Sequence, residues 1–466
     1  MQLDRSLLVL LPALSFGCAE AAPEAPPSPT PPESMPAAPA EGQPTTTATA
    51  PKPAASSQPR AKALPRGPLN VIWITVDALR ADMPWTGYGR DIAPNLSKLA
   101  AESVVFENHR ATTSLTAQSV PAMLSGRLAS TLYRSGYFFA GYNDSNEMFP
   151  ELLQRQGIRT VGLHAHLYFD RGKGLNQGFD VWDMVPGLTF NEKTDEHVTS
   201  PKTTAALTEL LKAAENTSAQ FFAWTHYMDP HDGYVRHKES PDFGTGLRDR
   251  YDNEVHFTDQ WIGKFIAFAR QQPWWERTAL FVTADHGEAF GEHGRNFHAH
   301  ELYEPVVRVP LIVHVPGLAA QRVKSAHSHV DLAPTVLELM GQPPSDAHQG
   351  RSLVPALRGE ALPERDVVLE LAADNVQPPR RALVSGRHKL IRFGERAGSP
   401  EKVFDLEADP GEKTDLSRSD PELAERLSAR LDIAFGALPV VEPYGGMKLK
   451  NGRTASGPMR PALAQR

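Results

Sequence analysis

The chain of 466 residues contains a single cysteine, Cys18. No intrachain disulfide is available, so the folded body must hold together by packing alone. A basic excess is also missing: 48 Lys and Arg stand against 55 Asp and Glu, a net charge of −7. That balance argues against nucleic acid as a partner, because such binders usually present a basic surface. Long apolar runs are absent too. The N-terminal run from Leu7 to Leu14 is too short for the roughly 20 residues that span a bilayer as a helix. What is present is a hydrophobic fraction of 41%, enough to build a core of one large domain with an appendage, or of two ordinary domains.

The ends of the chain read differently from its middle. "MQLDRSLLVLLPALSFGC", residues 1–18, has one Arg, a short apolar stretch and small residues before Cys18. It reads as an export signal, with Cys18 where a bacterial lipoprotein carries its lipidated cysteine. Ser15 and Phe16 depart from the usual residues before the Gly-Cys pair. The expected location is the periplasm or cell envelope, with a lipid anchor at Cys18 in the outer membrane. Residues 19–67 are rich in Ala, Pro, Thr and Ser and poor in large apolar side chains, which predicts an extended tether. Residues 441–466 are polar and basic and are expected to be a flexible tail.

Between them the pattern alternates. "NVIWITV" and "ALFVTA" are continuous, β-branched runs of the kind found in strands buried on both faces. "IRTVGLHAH", "QFFAWTH" and "VPLIVHVPG" read the same way. Helical segments such as "SPKTTAALTELLKAAEN" and "DNEVHFTDQWIGKFIAFARQQ" lie between them. Residues 68–358 therefore predict an α/β domain, a largely parallel central sheet sandwiched by helices. Over 359–440 the pattern changes to short strands and turns, "RALVSGRHKLIRFG" and "EKVFDLEADPGEKTDL", followed by the helical "DPELAERLSARLDIAFGAL". This predicts a small antiparallel C-terminal subdomain with a closing helix.

Polar residues gather where the strands end. Asp77 follows the first strand, Asp285 and His286 follow "ALFVTA", and His226, Asp229 and His231 follow "QFFAW". His164 and His166 end "IRTVGL". In open α/β sheets ligands bind beyond the carboxyl ends of the strands. Carboxylates with a neutral imidazole form a mixed O/N donor set, which suits a divalent metal such as Zn or Mn better than Ca. In the His-rich loop "EHGRNFHAHELYE", His298 is favoured over His293 and His300, which read as supporting residues. The hydroxyl-rich stretch "TTSLTAQSVPAMLSGRLAS", residues 112–130, predicts a helix ending at Gly126. Either one of its hydroxyls attacks a substrate, or Ser114 merely caps the helix.

Taken together, "NVIWITVDALRADMPWTGYGRDIAPNLSKLAAESVVFEN", "FVTADHGEAFGEHG", "LYEPVVRVPLIVHVPG", "VDLAPTVLELMG" and "VFDLEADPGEKTDL" resemble the sulfatase and alkaline-phosphatase-like superfamily over residues 69–430. The resemblance implies Asp77, Asp285, His286 and Thr116 as metal ligands and Thr116 as the nucleophile. His231 and His298 would contact ester oxygens or protonate the leaving group, and His164 and His166 would contact substrate. Formylglycine sulfatases carry C-x-P-S-R with Cys or Ser at the nucleophile position. Here Thr116, Gln118 and Val120 stand at the Cys, Pro and Arg positions, so formylglycine cannot form at 116. The segment is more similar to the threonine-nucleophile stretch of phosphoethanolamine transferases, although the transmembrane bundle of those enzymes has no counterpart here.

The resulting expectation is an exported, metal-dependent hydrolase of phosphate or sulfate esters that uses a Thr nucleophile and acts on an anionic glycan, lipid or small molecule. Two alternatives stay open. One is a transferase that passes a phospho-group to an envelope glycan or lipid; the other is an inactive protein that binds an anionic glycan.

Overall fold

The computed structural model describes residues 64–188 and 198–444, with the short strands 447–448 and 454–455. The export signal, Cys18 and the tether as far as residue 63 lie outside the described residues. In chain order the strands are β1 (Asn70–Val76), β2 (Val104–Phe106), β3 (His109–Arg110), β4 (Arg159–His164), β5 (Val181–Met184), β6 (Phe221–Tyr227), β7 (Thr278–Ala284), β8 (Leu311–His314), β9 (Gln321–Val323), β10 (His327–Ser328), β11 (Val367–Leu371), β12 (Arg380–Ser385), β13 (His388–Arg392) and β14 (Glu401–Asp405). The α-helices are α1 (Pro94–Ala101), α2 (Thr116–Ser125), α3 (Phe149–Arg155), α4 (Ser200–Lys212), α5 (Ala214–Thr217), α6 (Leu247–Ala269), α7 (Glu304–Val307), α8 (Leu332–Leu339), α9 (Val354–Leu357) and α10 (Pro421–Gly436).

Eight strands form the central sheet in the order β5-β4-β6-β1-β7-β8-β2-β9. The five from β5 to β7 run parallel. The parallel run breaks at β8, which is antiparallel to both β7 and β2. Alternate residues of the central strands feed two cores. Val71, Trp73, Phe222, Trp224 and Phe281 face one, shared with α2, α3 and α8. Ile72, Ile74, Ala223, Leu280 and Val282 face the other, shared with α1, α4 and α6. Burial on both faces explains why these strands are continuous apolar runs.

Strands β11 to β14 form an antiparallel meander in sequence order. Leu423, Leu427, Leu431 and Phe435 of α10 cover it, packing with Leu383, Leu390 and Val403. This is the expected small subdomain with its closing helix, enlarged by β11, which the sequence reading did not foresee. Two assigned boundaries shift. Residues 64–67, assigned to the tether, are engaged with the body: Leu64 packs on the core, and Arg277 donates to the Arg66 carbonyl at 2.8 Å. Tyr444, assigned to the tail, donates through its N–H to the Arg134 carbonyl and through its hydroxyl to the Gly141 carbonyl, both at 2.9 Å.

Candidate active site

Because β6, β1 and β7 are parallel neighbours, their carboxyl ends open at one place. Asp77 leaves β1 there, and Asp285 and His286 leave β7. The chain turns at Ala78, a fully buried residue with φ of 55°. The left-handed region costs a non-glycine residue about 1–2 kcal/mol, and the turn is held by two bonds. The Ala78 N–H donates to Asp285 Oδ1 at 3.3 Å, and its carbonyl accepts from the Tyr251 hydroxyl at 3.0 Å.

Asp77, Asp285 and His286 form a fully buried group whose ligand-type atoms all lie within 4.8 Å of one another. His286 Nδ1 is 2.9 Å from the Gly287 carbonyl. A carbonyl can only accept, so Nδ1 carries the proton and Nε2 presents a lone pair. Around that Nε2 stand Asp285 Oδ2 at 3.4 Å, Asp77 Oδ1 at 3.7 Å and Thr116 Oγ1 at 3.0 Å. Neither Asp77 Oδ1 nor Asp285 Oδ2 has a hydrogen-bond donor, although both are buried. Two orphaned carboxylate oxygens beside an imidazole lone pair fit a divalent cation, which satisfies such acceptors. The other carboxylate oxygens are engaged. Asp77 Oδ2 accepts from His226 Nε2 at 3.0 Å, and Asp285 Oδ1 accepts from the His286 N–H at 2.9 Å. Burial opposes ionisation of Asp77, but His231, His226 and His286 outweigh it and hold its carboxyl well below the usual range. Burial, together with His298, lowers His286 and keeps it neutral.

Thr116 is the first residue of α2, and its N-cap Leu115 offers no side-chain cap. Ser114 does not cap the helix, as one reading expected; its hydroxyl donates to the Glu301 carbonyl at 2.7 Å. The positive end of α2 therefore faces the cluster, an arrangement that favours anions. Further along, Pro121 lies inside the helix. It has no N–H to give the Ala117 carbonyl, and that oxygen instead accepts from the Tyr142 hydroxyl at 2.8 Å and, more weakly, from the Tyr168 hydroxyl at 3.4 Å. Ser119 donates to the Asp285 carbonyl and lies 3.1 Å from His329 Nδ1, tying α2 to the end of β7. The helix ends at Gly126, left-handed with φ of 63°, where an added Cβ would meet the His348 ring at 2.8 Å.

The structure brings His231 and His298 to the same place. The His298 ring stacks on His286 at 4.3 Å and lies 5.0 Å from His231. Phe297 and Ala299, on either side of His298, both have positive φ. The strained loop is pinned at these residues: the Phe297 N–H donates to the Ala289 carbonyl and the Ala299 N–H to the Ser114 carbonyl. His298 Nδ1 lies 3.1 Å from Glu288 Oε1 and 3.2 Å from Oε2. This carboxylate has no exposure and also accepts from the Tyr234 hydroxyl at 2.8 Å. Burial opposes the His298 cation, yet Glu288 raises its pKa. In the same way burial opposes the His231 cation, but Asp77 and Asp232 lift it to about 10. His166 lies near, its ring 6.2 Å from His231, and its Nδ1 accepts from the Tyr168 N–H. Burial pushes His166 down to about 3.

Other expected residues do not join the group. His164 is 1% exposed, with its ring 5.4 Å from Phe169 and 5.1 Å from Trp182. This aromatic packing argues against the substrate contact expected of it. Asp229 is a helix cap: its carboxylate accepts from the N–H groups of Thr199 and Ser200 at the start of α4. His293 stacks on Tyr303, and His300 pairs weakly with Gln377. Sequence reasoning missed Glu288 as the orienting partner of His298 and His226 as that of Asp77. Glu288 stands only two residues beyond His286, and a carboxylate so close to a buried strand end was the available signal.

Comparisons with known proteins bear on the family and the fold. The sulfatase family model matches residues 69–342. A second model, described as N-sulphoglucosamine sulphohydrolase, C-terminal, matches residues 291–434. Arylsulfatase K of Bos taurus is 31% identical over 183 residues, covering 37% of this chain and only 34% of that protein. Choline-sulfatase of Rhizobium meliloti (strain 1021) is 25% identical over 434 residues, covering 76% of this chain and 83% of that one. Among solved structures, a phosphonate monoester hydrolase from Silicibacter pomeroyi superposes with a TM-score of 0.66 at 21% identity, covering 83% of this chain and 99% of that one. With sheet, strand-end cluster and family match in agreement, the chain belongs to the sulfatase family.

Proposed function

We propose that this protein is a metal-dependent hydrolase of sulfate or phosphate esters that uses Thr116 as its nucleophile. The reading is carried by one observation: Thr116 Oγ1 stands at the head of α2, 3.0 Å from His286 Nε2, inside the Asp77, Asp285 and His286 cluster. Those three side chains and Thr116 Oγ1 would hold a divalent cation, with Zn or Mn favoured over Ca by the donor set. Such an ion, when bound, supplies Lewis acidity that eases ionisation of the hydroxyl and offsets charge on the ester.

The chain's own groups do the rest. Thr116 Oγ1, its hydroxyl proton lost to solvent water, attacks the sulfur or phosphorus in line. The bond from Oγ1 to the central atom forms as the bond to the leaving oxygen breaks, and the leaving oxygen takes a proton. His298 is placed to give that proton from Nε2, since Glu288 occupies Nδ1 and favours the cation. His231 and the head of α2 receive the non-bridging oxygens. Water, giving a proton to the now neutral His298 Nε2, then forms a bond to the central atom as the bond to Oγ1 breaks, which restores both Thr116 and the His298 cation. Because threonine is no formylglycine precursor, the reading departs from formylglycine chemistry and tilts towards phosphate.

The test is turnover of nitrophenyl phosphate, phosphodiester and sulfate esters by the full chain with several metals. Thr116→Ala is expected to lower turnover on the order of 10³-fold or more while the fold and most of the metal content are kept by Asp77, Asp285 and His286, and Thr116→Ser should keep part of the activity. Wild-type turnover by Thr116→Ala would reject the nucleophile assignment.

The proposal includes export and lipid attachment at Cys18, supported by the sequence of residues 1–18. No helix of the described residues is long and apolar enough to cross a membrane. Cys18→Ala should move the protein from the membrane to the soluble fraction of the producing cell; membrane retention of that variant would remove the anchor from the proposal.

A further inference from the structure

A cleft of about 480 Å³ lies apart from Thr116, lined on one side by residues near β3, β9 and α7 and on the other by the β12–β13 turn and the loop after β14. It shares no residue with the Thr116 cluster or with His231 and His298. Six cations line it, Arg110, Arg308, Lys324, Arg351, Arg365 and Arg387, in a chain whose net charge is −7.

Three of these are already neutralised. Arg110 pairs with Glu304 at 2.8 Å, Arg387 pairs with Asp405 and Glu407, and Arg365 pairs with Asp331. Arg308, Lys324 and Arg351 take part in no ion pair among the described residues, and Glu364 is the one lining carboxylate in the same position. The unpaired surplus is thus positive. Arg308 donates twice to the Glu107 carbonyl, at 3.2 and 2.7 Å. That fixes its guanidinium without neutralising it. Burial lowers the pKa of Arg308 and of Arg351; Glu304 opposes this at Arg308 while Arg110 adds to it, and at Arg351 the neighbouring Arg365 adds to it while Asp331 opposes.

Fixed guanidinium forks around a concavity match the geometry of tetrahedral oxyanions. The cleft is also far roomier than one such anion needs. We propose that it is a second anion-binding site, which takes sulfate or phosphate groups carried on a polyanionic ligand and is separate from the ester-cleaving centre. It stands on its own residues and holds whether or not Thr116 is the nucleophile.

Calorimetric titration of the full chain tests it, with a sulfated hexasaccharide and with inorganic sulfate as probes. Saturable, salt-sensitive hexasaccharide binding is expected. It should weaken at least about tenfold in the Arg308→Gln, Lys324→Gln, Arg351→Gln triple variant, with turnover of a small nitrophenyl ester unchanged. Lys324→Glu alone, at an exposed position, should weaken binding without risk to the fold. Affinity should survive in His231→Ala. Displacement of the hexasaccharide by millimolar inorganic sulfate would identify the free anion as a sufficient ligand; displacement only by a second oligosaccharide would identify the chain. No saturable binding by the wild type would overturn the proposal. So would wild-type affinity in the Lys324→Glu variant and the folded triple variant, or loss of binding in His231→Ala alone.

Discussion

Two groups of buried charge in this molecule are built on opposite terms. At the contact between α7 and the antiparallel meander, Glu304 pairs with Arg110 and Lys389, and Lys389 also reaches Glu412, each at 2.8–2.9 Å. Cations and carboxylates there match one for one. At the ends of β1 and β7, Asp77 and Asp285 face one another across His286 with an orphaned oxygen apiece. One group balances its charges within itself; the other leaves buried acceptors that a bound cation would satisfy. The contrast separates a network that ties α7 to the meander from one that would hold a cation under the proposed function, though both are groups of buried carboxylates.

The largest effect should come from breaking the open group. Asp285→Asn keeps an oxygen for the Ala78 and His286 N–H groups and places an amide donor where the orphaned oxygen stood. Turnover should fall on the order of 10³-fold, yet the variant without metal should unfold at a higher temperature than the wild type without metal. Added Zn or Mn should then raise the melting temperature of the wild type and not of the variant. A wild type whose melting temperature ignores both metals, or a variant destabilised without metal, would erase the distinction between the two groups.

A smaller loss is expected from the closed group. Lys389→Met strands Glu412 and half of Glu304, at a cost of about 3–5 kcal/mol, measured by denaturant unfolding. Adding Glu412→Gln should recover part of it, and turnover per folded molecule should hold. The pH dependence has a definite sign. Burial works against the Glu304 carboxylate, but Arg110 and Lys389 hold its pKa below the ordinary value of 4.5. Its contribution to stability is therefore full above about pH 4.5 and lost as pH falls towards the folded value. In Lys389→Met the folded value rises towards 4.5, so this acid loss should be smaller and complete at higher pH. An unchanged acid profile would show that Lys389 does not set it.

Much of this arrangement was legible in sequence, for a physical reason. Strands buried on both faces are unbroken apolar runs, so the first polar residue past each run marks the carboxyl edge of the sheet, where Asp77 and Asp285 come together. Glu288 and His226 act through contacts to His298 and Asp77 that only folding creates; their places near the strand ends mark them as candidates but do not say which residue each one orients. His164 misled because it too ends a strand; what decides its environment is the aromatic packing of Phe169 and Trp182 around it. The antiparallel direction of β8 was likewise invisible, since an apolar run carries no record of which way its neighbour runs.

Pro121 has a consequence beyond its own helix. By withholding an N–H it leaves the Ala117 carbonyl to two tyrosines from separate loops. A residue with an amide hydrogen at 121 would bring a third donor to an oxygen with two lone pairs, and one of the three would have to let go. The proline, Tyr142 and Tyr168 thus form a single unit of substitution, scattered along the chain, on which the seating of the helix that carries the Thr116 hydroxyl depends.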